Sequence, residues 1–155
     1  MLQARLRQAR SHAALGGQKL QRKKHRHPPQ PHQHPFIQDG HIYGVCSYGQ
    51  LRCLKLETGE RLWETMAATT GGPLVRWANA FIIKNADRFF LANEQGDLII
   101  AKLSPKGYEE ISRATLLKPT TTDPRRPVVW SHPAFANKCV FMRNDEEIIC
   151  ASLAK

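Results

Sequence analysis

The stretch from Asp39 to Trp63 reads DGHIYGVCSYGQLRCLKLETGERLW and alternates short apolar runs with turns. Many of its apolar residues are branched or aromatic, and runs of this kind at strand length are typical of β-strands. Gly49 and Gly59 supply the positive φ that a tight turn between two strands requires. The stretch therefore predicts a small antiparallel sheet whose last strand ends on Trp63.

The same pattern recurs twice further along the chain. A shift of 47 residues places Gly49-x-Leu51 on Gly96-x-Leu98, and a further shift of 50 places Leu98 on Ile148. Short apolar segments upstream of each copy would add one more strand to each unit. Four short antiparallel strands that repeat every ~40 to 50 residues are typical of the blades of a β-propeller.

We therefore predict an all-β chain, a partial β-propeller of three four-stranded antiparallel blades behind a disordered N-terminal tail. The blades span about residues 36–65, 77–114 and 130–153, and the third is one strand short. A closed propeller needs at least about four blades. We expect the chain to be the C-terminal part of a longer propeller, with open sheet edges that the missing blades or copies of itself would cover. No apolar run approaches the roughly 20 residues of a membrane span.

Three tryptophans mark the repeats. Trp63 is a flat plate that can fill the gap between two neighbouring sheets, and Trp77 and Trp130 open the second and third units, where they suit packing between blades. The second unit keeps a turn at Gly107 but has Ile111 at the position that corresponds to Trp63. The predicted repeat signature comprises Gly40, Tyr43, Gly49, Leu51, Thr58, Gly59, Trp63, Trp77, Gly96, Leu98, Gly107 and Trp130.

The run Asp39-Gly40-x-Ile-Tyr43, followed by Gly49-x-Leu51 and Thr58-Gly59-x-x-x-Trp63, resembles the repeat of pyrroloquinoline-quinone-type, or quinoprotein-like, β-propellers. The resemblance covers roughly residues 36–153 and is strongest in the first unit. The chain departs from the repeat at Lys55, where Asp is usual, and the second unit lacks both the threonine and the tryptophan.

The resemblance implies one of two functional classes. Some quinoprotein-like propellers are dehydrogenases that bind the quinone and calcium on the propeller axis. Others, such as the outer-membrane β-barrel assembly lipoprotein, are non-catalytic platforms that hold partner proteins. The adjacent cysteines and the axial acids of the first class cannot be placed in this chain. We therefore expect a non-catalytic interaction or scaffold module without a cofactor; the alternative is a fragment of a dehydrogenase that uses pyrroloquinoline quinone and calcium.

The first 35 residues differ in character from the rest. They carry eight basic and no acidic residues, whereas from Phe36 onward 15 basic residues face 13 acidic ones. Because this segment has few large apolar side chains to offset its ordering entropy, we predict that it is disordered. Phosphate contacts through Lys19–His27 and loose metal binding are the alternatives. The histidines for such a metal are His25, His27, His32 and His34. The resemblance implies a periplasmic or other extracytoplasmic location, although no apolar stretch of signal-peptide length follows the basic start.

The four cysteines allow two interpretations. Cys46 and Cys53 flank one turn and Cys139 and Cys150 flank another, so each pair can form a cross-strand disulfide in an oxidising compartment. Cys53 and Cys150 also share their repeat position with Ile100. This equivalence favours the second interpretation, in which the cysteines are small apolar residues that pack in the core. The spacing lacks the close pairs of a structural zinc site.

The sequence predicts no catalytic or metal site. Ser131 and His132 are neighbours in an extended segment, where adjacent side chains point to opposite faces and cannot share a proton. Acids that cluster near hairpin turns are interpreted as solvated turn residues. These acids are Asp87, Asp97, Asp145, Glu146 and Glu147.

Overall fold

A computed structural model describes residues 34–120 and 127–154 of the chain. The tail that we predict to be disordered falls outside these residues, apart from His34 and Pro35. Every regular element in the described part of the chain is a β-strand, and the strands form three antiparallel sheets in which neighbours in sequence are neighbours in space. The predicted all-β class, with three successive blade-like sheets, is confirmed.

The sheets contain four, four and three strands. The first sheet consists of β1 (Phe36–Gln38), β2 (His41–Val45), β3 (Leu51–Lys55) and β4 (Arg61–Thr65). The second sheet consists of β5 (Ala80–Asn85), β6 (Arg88–Asn93), β7 (Asp97–Ser104) and β8 (Gly107–Thr115). The third sheet consists of β9 (Ala134–Ala136), β10 (Cys139–Arg143) and β11 (Ile148–Ser152). Within the described residues the third sheet lacks a fourth strand, in agreement with the prediction.

The three sheets repeat one another in strand register. In each sheet an aromatic residue of the second strand pairs with the residue at the same repeat position of the third strand. These pairs are Tyr43 with Cys53, Phe90 with Ile100, and Phe141 with Cys150. The first two sheets also share a β-bulge at one place, after Cys53 in β3 and after Ile100 in β7. The repeat therefore extends into the fourth strand of both sheets.

This register corrects the prediction that Ile111 replaces Trp63. Trp63 lies opposite Cys53, and the residue opposite Ile100 in the second sheet is Ser112. Ile111 is the extra residue of the bulge, and its side chain is exposed. Because both sheets share the bulge, the shift comes from the hairpin: Trp63 lies 10 residues after Cys53, whereas Ser112 lies 12 residues after Ile100, a hairpin longer than the sequence count assumed.

The hydrophobic core forms two layers, one on each face of the second sheet. The layer between the first and second sheets includes Val45, Leu51, Leu91, Ile99 and Ala101. The layer between the second and third sheets includes Phe90, Ala92, Leu98, Val140 and Met142. Because successive side chains of a strand point to opposite faces, β6 contributes Phe90 to one layer and Leu91 to the other. The second sheet is thus covered on both faces.

Backbone hydrogen bonds tie each linker between sheets to the preceding hairpin. The Trp77 N–H donates to the Ser47 carbonyl at 2.5 Å, and the Val129 N–H donates to the Glu94 carbonyl at 2.7 Å. Val129, rather than Trp130, is therefore the counterpart of Trp77. Val129 is buried and Trp130 is 62% exposed. The prediction that Trp130 packs between blades is wrong, because Val128 and Val129 take the buried positions of this linker.

Candidate functional site

Trp63 joins the first sheet to the second. Its indole Nε1 donates a hydrogen bond to the Ser104 carbonyl at 2.8 Å, and its ring packs against the core layer between the two sheets. The Tyr43 ring centroid lies 6.2 Å from that of Trp63 and 6.2 Å from that of Phe89. Burial, together with the neighbouring Cys53 thiol, raises the pKa of Tyr43 to about 12. The tyrosine is therefore neutral at physiological pH and belongs to the packed interface.

A cleft of about 680 Å³ opens between the second and third sheets, next to the β5–β6 and β9–β10 turns. This volume lies within the range of small-molecule sites in proteins. The cleft has an apolar wall, formed by Ile83, Phe90, Ile100, Phe135 and Leu153. Two of these residues, Phe90 and Phe135, stack with ring centroids 4.8 Å apart and an interplanar angle of 14°.

The mouth of the cleft is positively charged. Its lining residues include Lys84, Arg88 and Lys138 and no acidic residue. The Lys84 ammonium donates to the Gln38 side chain at 2.5 Å, and the Arg88 guanidinium lies 3.7 Å from the exposed Asp87 carboxylate. Lys138 has no ion-pair partner among the described residues. An anionic group at this mouth would therefore meet an attractive potential.

The third sheet leaves one strand edge and one face uncovered. β3 and β7 are paired on both sides, whereas in the described part of the chain β11 pairs with β10 alone. The face that points away from the second sheet carries Ile148, which is 72% exposed, and the exposed Cys150. The five residues of β11 include no charge and no proline. This edge therefore retains the backbone groups that an added strand would bond.

The four cysteines are free thiols. Cys53 is fully buried opposite Tyr43, and burial raises the pKa of its thiol, as expected for a packed core residue. Cys46 lies beyond the end of β2 and is not opposite Cys53. Cys139 and Cys150 are placed diagonally on one face of the neighbouring strands β10 and β11. Of the two disulfide pairs considered from the sequence, only the second thus shares a face of adjacent strands.

Ser131 and His132 have separate partners. The Ser131 hydroxyl donates to the Arg143 carbonyl. The His132 ring lies 4.7 Å from the Phe81 ring, and its Nδ1 is 2.8 Å from the Pro133 carbonyl oxygen. Neither contact links the two side chains, so no serine–histidine pair forms.

Asp97 is not the solvated turn residue that the sequence predicts. It is only 7% exposed, because the residue lies at the start of β7 beneath the hairpin, and it accepts hydrogen bonds from Asn93, Arg113 and Thr115. Burial acts to raise the pKa of Asp97, but these three hydrogen bonds and the Arg113 charge outweigh it, and the pKa is lowered. The other predicted turn acids are exposed, namely Asp87, Asp145, Glu146 and Glu147.

Two asparagines close the hairpins of the second and third sheets through their side chains, a role that the sequence did not reveal. The side-chain oxygens of Asn93 and Asn144 each accept two backbone N–H groups of their own hairpin. Their amide groups donate to the preceding linker, from Asn93 to the Thr69 carbonyl and from Asn144 to the Lys118 carbonyl. In the first sheet Cys46 takes the equivalent position. The recurrence of asparagine after the second strand of two units was the signal available in the sequence.

The remaining signature residues take structural positions, and none of the twelve lines the cleft. Leu51 and Leu98 are buried in the core layers, and Gly107 begins β8. The Thr58 hydroxyl accepts a backbone N–H bond two residues later, and Trp77 is half-buried with a positive φ of 72°. All five signature glycines have positive φ, namely Gly40, Gly49, Gly59, Gly96 and Gly107.

No three His, Cys, Asp or Glu side chains of residues 34–120 and 127–154 lie together as a metal-binding group. No helix in the same ranges is long and apolar enough to cross a membrane. The basic run Lys19–His27 and three of the four tail histidines lie outside the described residues.

No family model matches the chain, and no curated protein matches it in sequence. Among solved structures, the chain is similar to the quinohemoprotein alcohol dehydrogenase ADHIIG from Pseudomonas putida HK5, with 15% identity and a TM-score of 0.46 over 70% of this chain and 16% of that one. It is also similar to BamB from Moraxella catarrhalis, with 16% identity and a TM-score of 0.32 over 75% of this chain and 41% of that one. The chain thus spans less than half of either structure.

Proposed function

We propose that this chain is a non-catalytic interaction module that binds a partner protein by adding the partner's strand to β11. The open edge of β11 is the observation that supports the proposal. In the first two sheets the equivalent edge is filled by β4 and β8. Backbone hydrogen bonds along β11 would provide affinity, and the exposed Ile148 side chain beside the edge would add apolar contact.

The partner segment required by this site is an extended strand without proline, because a proline would remove a ladder hydrogen bond. β4 and β8 indicate its composition, since both mix charged residues with an aromatic residue, Trp63 in one and Tyr108 in the other. Such a strand can come from missing propeller blades, from a separate protein or from a second copy of the chain.

A peptide copy of β8 tests this proposal. The peptide comprises residues 106–116, is blocked at both ends, and contains no tryptophan. We expect it to slow amide exchange and to shift backbone amide resonances within Ile148–Ser152 of the full chain. Binding through the strand edge predicts that the largest changes occur there, because the added strand bonds the unpaired backbone groups of β11.

The matched control is the same peptide with N-methyl groups on the alternate amides of one edge, which removes the ladder donors and leaves the side chains unchanged. We expect its affinity to fall by about tenfold or more, since each lost hydrogen bond contributes about 1 kcal/mol. A scrambled peptide of the same composition should bind no better. Equal binding of all three peptides would contradict strand addition.

We further propose that the module has no enzymatic activity of its own, in contrast to the quinone-dependent alternative. The purified chain is mixed with pyrroloquinoline quinone and calcium, and its absorbance spectrum and its reduction of an electron-accepting dye in the presence of alcohols are recorded. The scaffold proposal predicts neither a protein-bound quinone band nor dye reduction. A calcium-dependent band accompanied by turnover would favour the dehydrogenase class.

A further inference from the structure

The cleft occupies the place that a tryptophan fills one repeat earlier. Between the first and second sheets, Trp63 extends from β4 and donates its indole N–H to the Ser104 carbonyl. Its equivalent in the second sheet is Ser112, which lies opposite Ile100. Ile100 lines the cleft and packs in the layer shared with the third sheet. No residue of β8, Ser112 included, lines the cleft, so the position that Trp63 fills in the first interface is left open in the second.

The third sheet keeps the segment that corresponds to Ser104, the residue whose carbonyl accepts the Trp63 hydrogen bond. By the repeat alignment Leu153 matches Leu103, so the next residue, Ala154, matches Ser104. Ala154 lines the cleft. The Leu153 N–H donates to the Lys138 carbonyl at 2.7 Å, which holds this segment against the β9–β10 turn. The cleft is therefore a position between two sheets at which both sheets are present but no tryptophan side chain fills the space.

The walls of the cleft suit a flat aromatic ring. Phe90 and Phe135 present stacked rings, and Ile83 and Ile100 add branched side chains. Aromatic rings pair favourably with other rings at centroid distances of about 4.5 to 7 Å. A ring of indole size would thus regain the contacts that Trp63 makes in the first interface.

The mouth of the cleft adds a requirement for charge. Arg88 and Lys138 line it, and no acidic residue does. Asn85 and Asn137 contribute amide groups at the same rim. Hydrogen bonds from charged donors to a carboxylate are about twice as strong as those between neutral groups. The rim is therefore complementary to an anion and not to a cation.

We propose that this cleft binds a small planar aromatic carboxylate of indole size. The ring occupies the open tryptophan position against Phe90 and Phe135, and the carboxylate lies at Arg88 and Lys138. This site goes beyond the strand-binding function, because of the five residues of β11 only Ser152 lines the cleft.

The binding experiment uses the full chain with indole-3-propionate as the probe and 3-methylindole as its neutral counterpart. Saturation-transfer NMR and titration calorimetry measure the two affinities. We expect the acid to bind at least about fivefold more tightly, because only the acid gains charge-assisted hydrogen bonds at the rim. Equal affinities would overturn the assignment of a carboxylate, and the absence of any binding of the acid would overturn the site.

Rim variants identify where the carboxylate lies. Arg88→Gln combined with Lys138→Gln should weaken binding of indole-3-propionate by about five- to tenfold and change binding of 3-methylindole by less than about twofold. Lys106→Gln is the matched control, because Lys106 is an exposed cation that does not line the cleft. An equal loss in the control and in the double variant would contradict the proposed rim contact.

Refilling the tryptophan position tests where the ring lies. Ser112→Trp should abolish binding of both probes, whereas Ser112→Ala, which adds no bulk, should leave the affinities unchanged. Circular dichroism and the thermal midpoint establish that each variant is folded. Ser112→Leu provides a smaller obstruction if the tryptophan variant does not fold, and it should weaken both probes. Undiminished binding by a folded Ser112→Trp or Ser112→Leu chain would refute the proposal.

Discussion

Asp97 is a buried charge that connects three structural parts at the level of a single residue. Its carboxylate accepts hydrogen bonds from Asn93 at 3.1 Å in the hairpin, and from Arg113 at 2.9 Å and Thr115 at 2.6 Å in β8. Arg113 also donates to the Ala67 carbonyl at 2.6 Å, in the linker that follows the first sheet. Paired in this way, the carboxylate costs little to bury and fixes the linker against the second sheet.

Stability should depend on the ionisation of Asp97 at acid pH. Its pKa is lower in the folded chain than in the unfolded chain, where it is about 3.9. The stabilisation is therefore complete above that unfolded value and is lost as the pH falls through the folded-state pKa. We expect Asp97→Asn to reduce the free energy of unfolding by about 2 kcal/mol at pH 7 and to flatten its decline below pH ~4, measured by urea denaturation.

Asp145→Asn is the control for this experiment, because the Asp145 side chain is exposed at the equivalent region of the third hairpin. It should change the unfolding free energy by no more than about 0.5 kcal/mol. If the acid branch of the stability profile is the same in Asp97→Asn and in the natural chain, the carboxylate does not provide the stabilisation described here.

Single residues differ in how well the sequence predicts them. The position of Trp63 between two sheets follows from its size and its place in the fourth strand, although β4 continues to Thr65 rather than ending on the tryptophan. The burial of Asp97 could not be predicted, because its partners Arg113 and Thr115 lie on another strand and meet it only through the register of the sheet. Ser112 was missed for a related reason, since the β7–β8 hairpin is longer than the β3–β4 hairpin and the pairing shows only in the register of the sheet.

The hairpins and linkers interlock at the level of elements. The Leu116 and Leu117 N–H groups donate to the Gly96 carbonyl at 2.9 and 3.3 Å. A Cβ atom at Gly96 would lie 2.0 Å from the Leu117 carbonyl oxygen, and Gly96 has a φ of +86°. The chain leaving the second sheet therefore passes directly over the hairpin at a point where only glycine fits.

A pair of glycine substitutions separates this close approach from the cost of positive φ. Gly59 also has a positive φ, of +72°, but a Cβ there would meet no atom within 4 Å. We expect Gly59→Ala to cost about 1 kcal/mol, and Gly96→Ala to cost about 3 kcal/mol because the linker must also move. Urea denaturation measures both values, and similar costs at the two positions would show that the linker is not closely packed on the hairpin.

The strands were more predictable than the linkers that connect the sheets. Alternation of apolar residues and glycine turns predicts the strand pairs, because these are local properties of the chain. The paths of residues 66–79 and 116–120 depend on hydrogen bonds to hairpins about 20 residues earlier, such as that from the Thr69 hydroxyl to the Gly49 carbonyl at 2.6 Å. Such contacts leave no periodic pattern in the sequence.

At the scale of the whole molecule the sheets differ in how many faces are covered. The second sheet has a core layer on each side, whereas the third sheet has one layer and an outward face that carries Ile148. On the first sheet, the face that points away from the second sheet carries charged residues instead, since Arg52 and Glu64 form an ion pair at 3.1 Å across β3 and β4. Stability should therefore be highest in the middle of the array.

Native-state hydrogen exchange checks this order. We expect the amides of β6 to exchange most slowly and those of β10 to exchange faster, because β10 opens when a single core layer is lost. The comparison is matched, since each strand is the second of its sheet and is paired on both sides. Equal protection of the two strands would mean that the described sheets unfold as one cooperative unit.

The attachment of each linker to the preceding hairpin also bears on how such a chain can change in length. The second blade carries all the parts of this attachment: the hairpin residue Asn93, the Thr69 carbonyl that accepts its amide N–H, and the Glu94 carbonyl that accepts the Val129 N–H at the start of the next blade. A duplicated gene segment of about one period would then carry everything needed to dock onto its predecessor. Growth by such tandem duplication would leave the packing between the older blades unchanged. Only the exposed face of the last blade would have to adapt to solvent or to a partner protein.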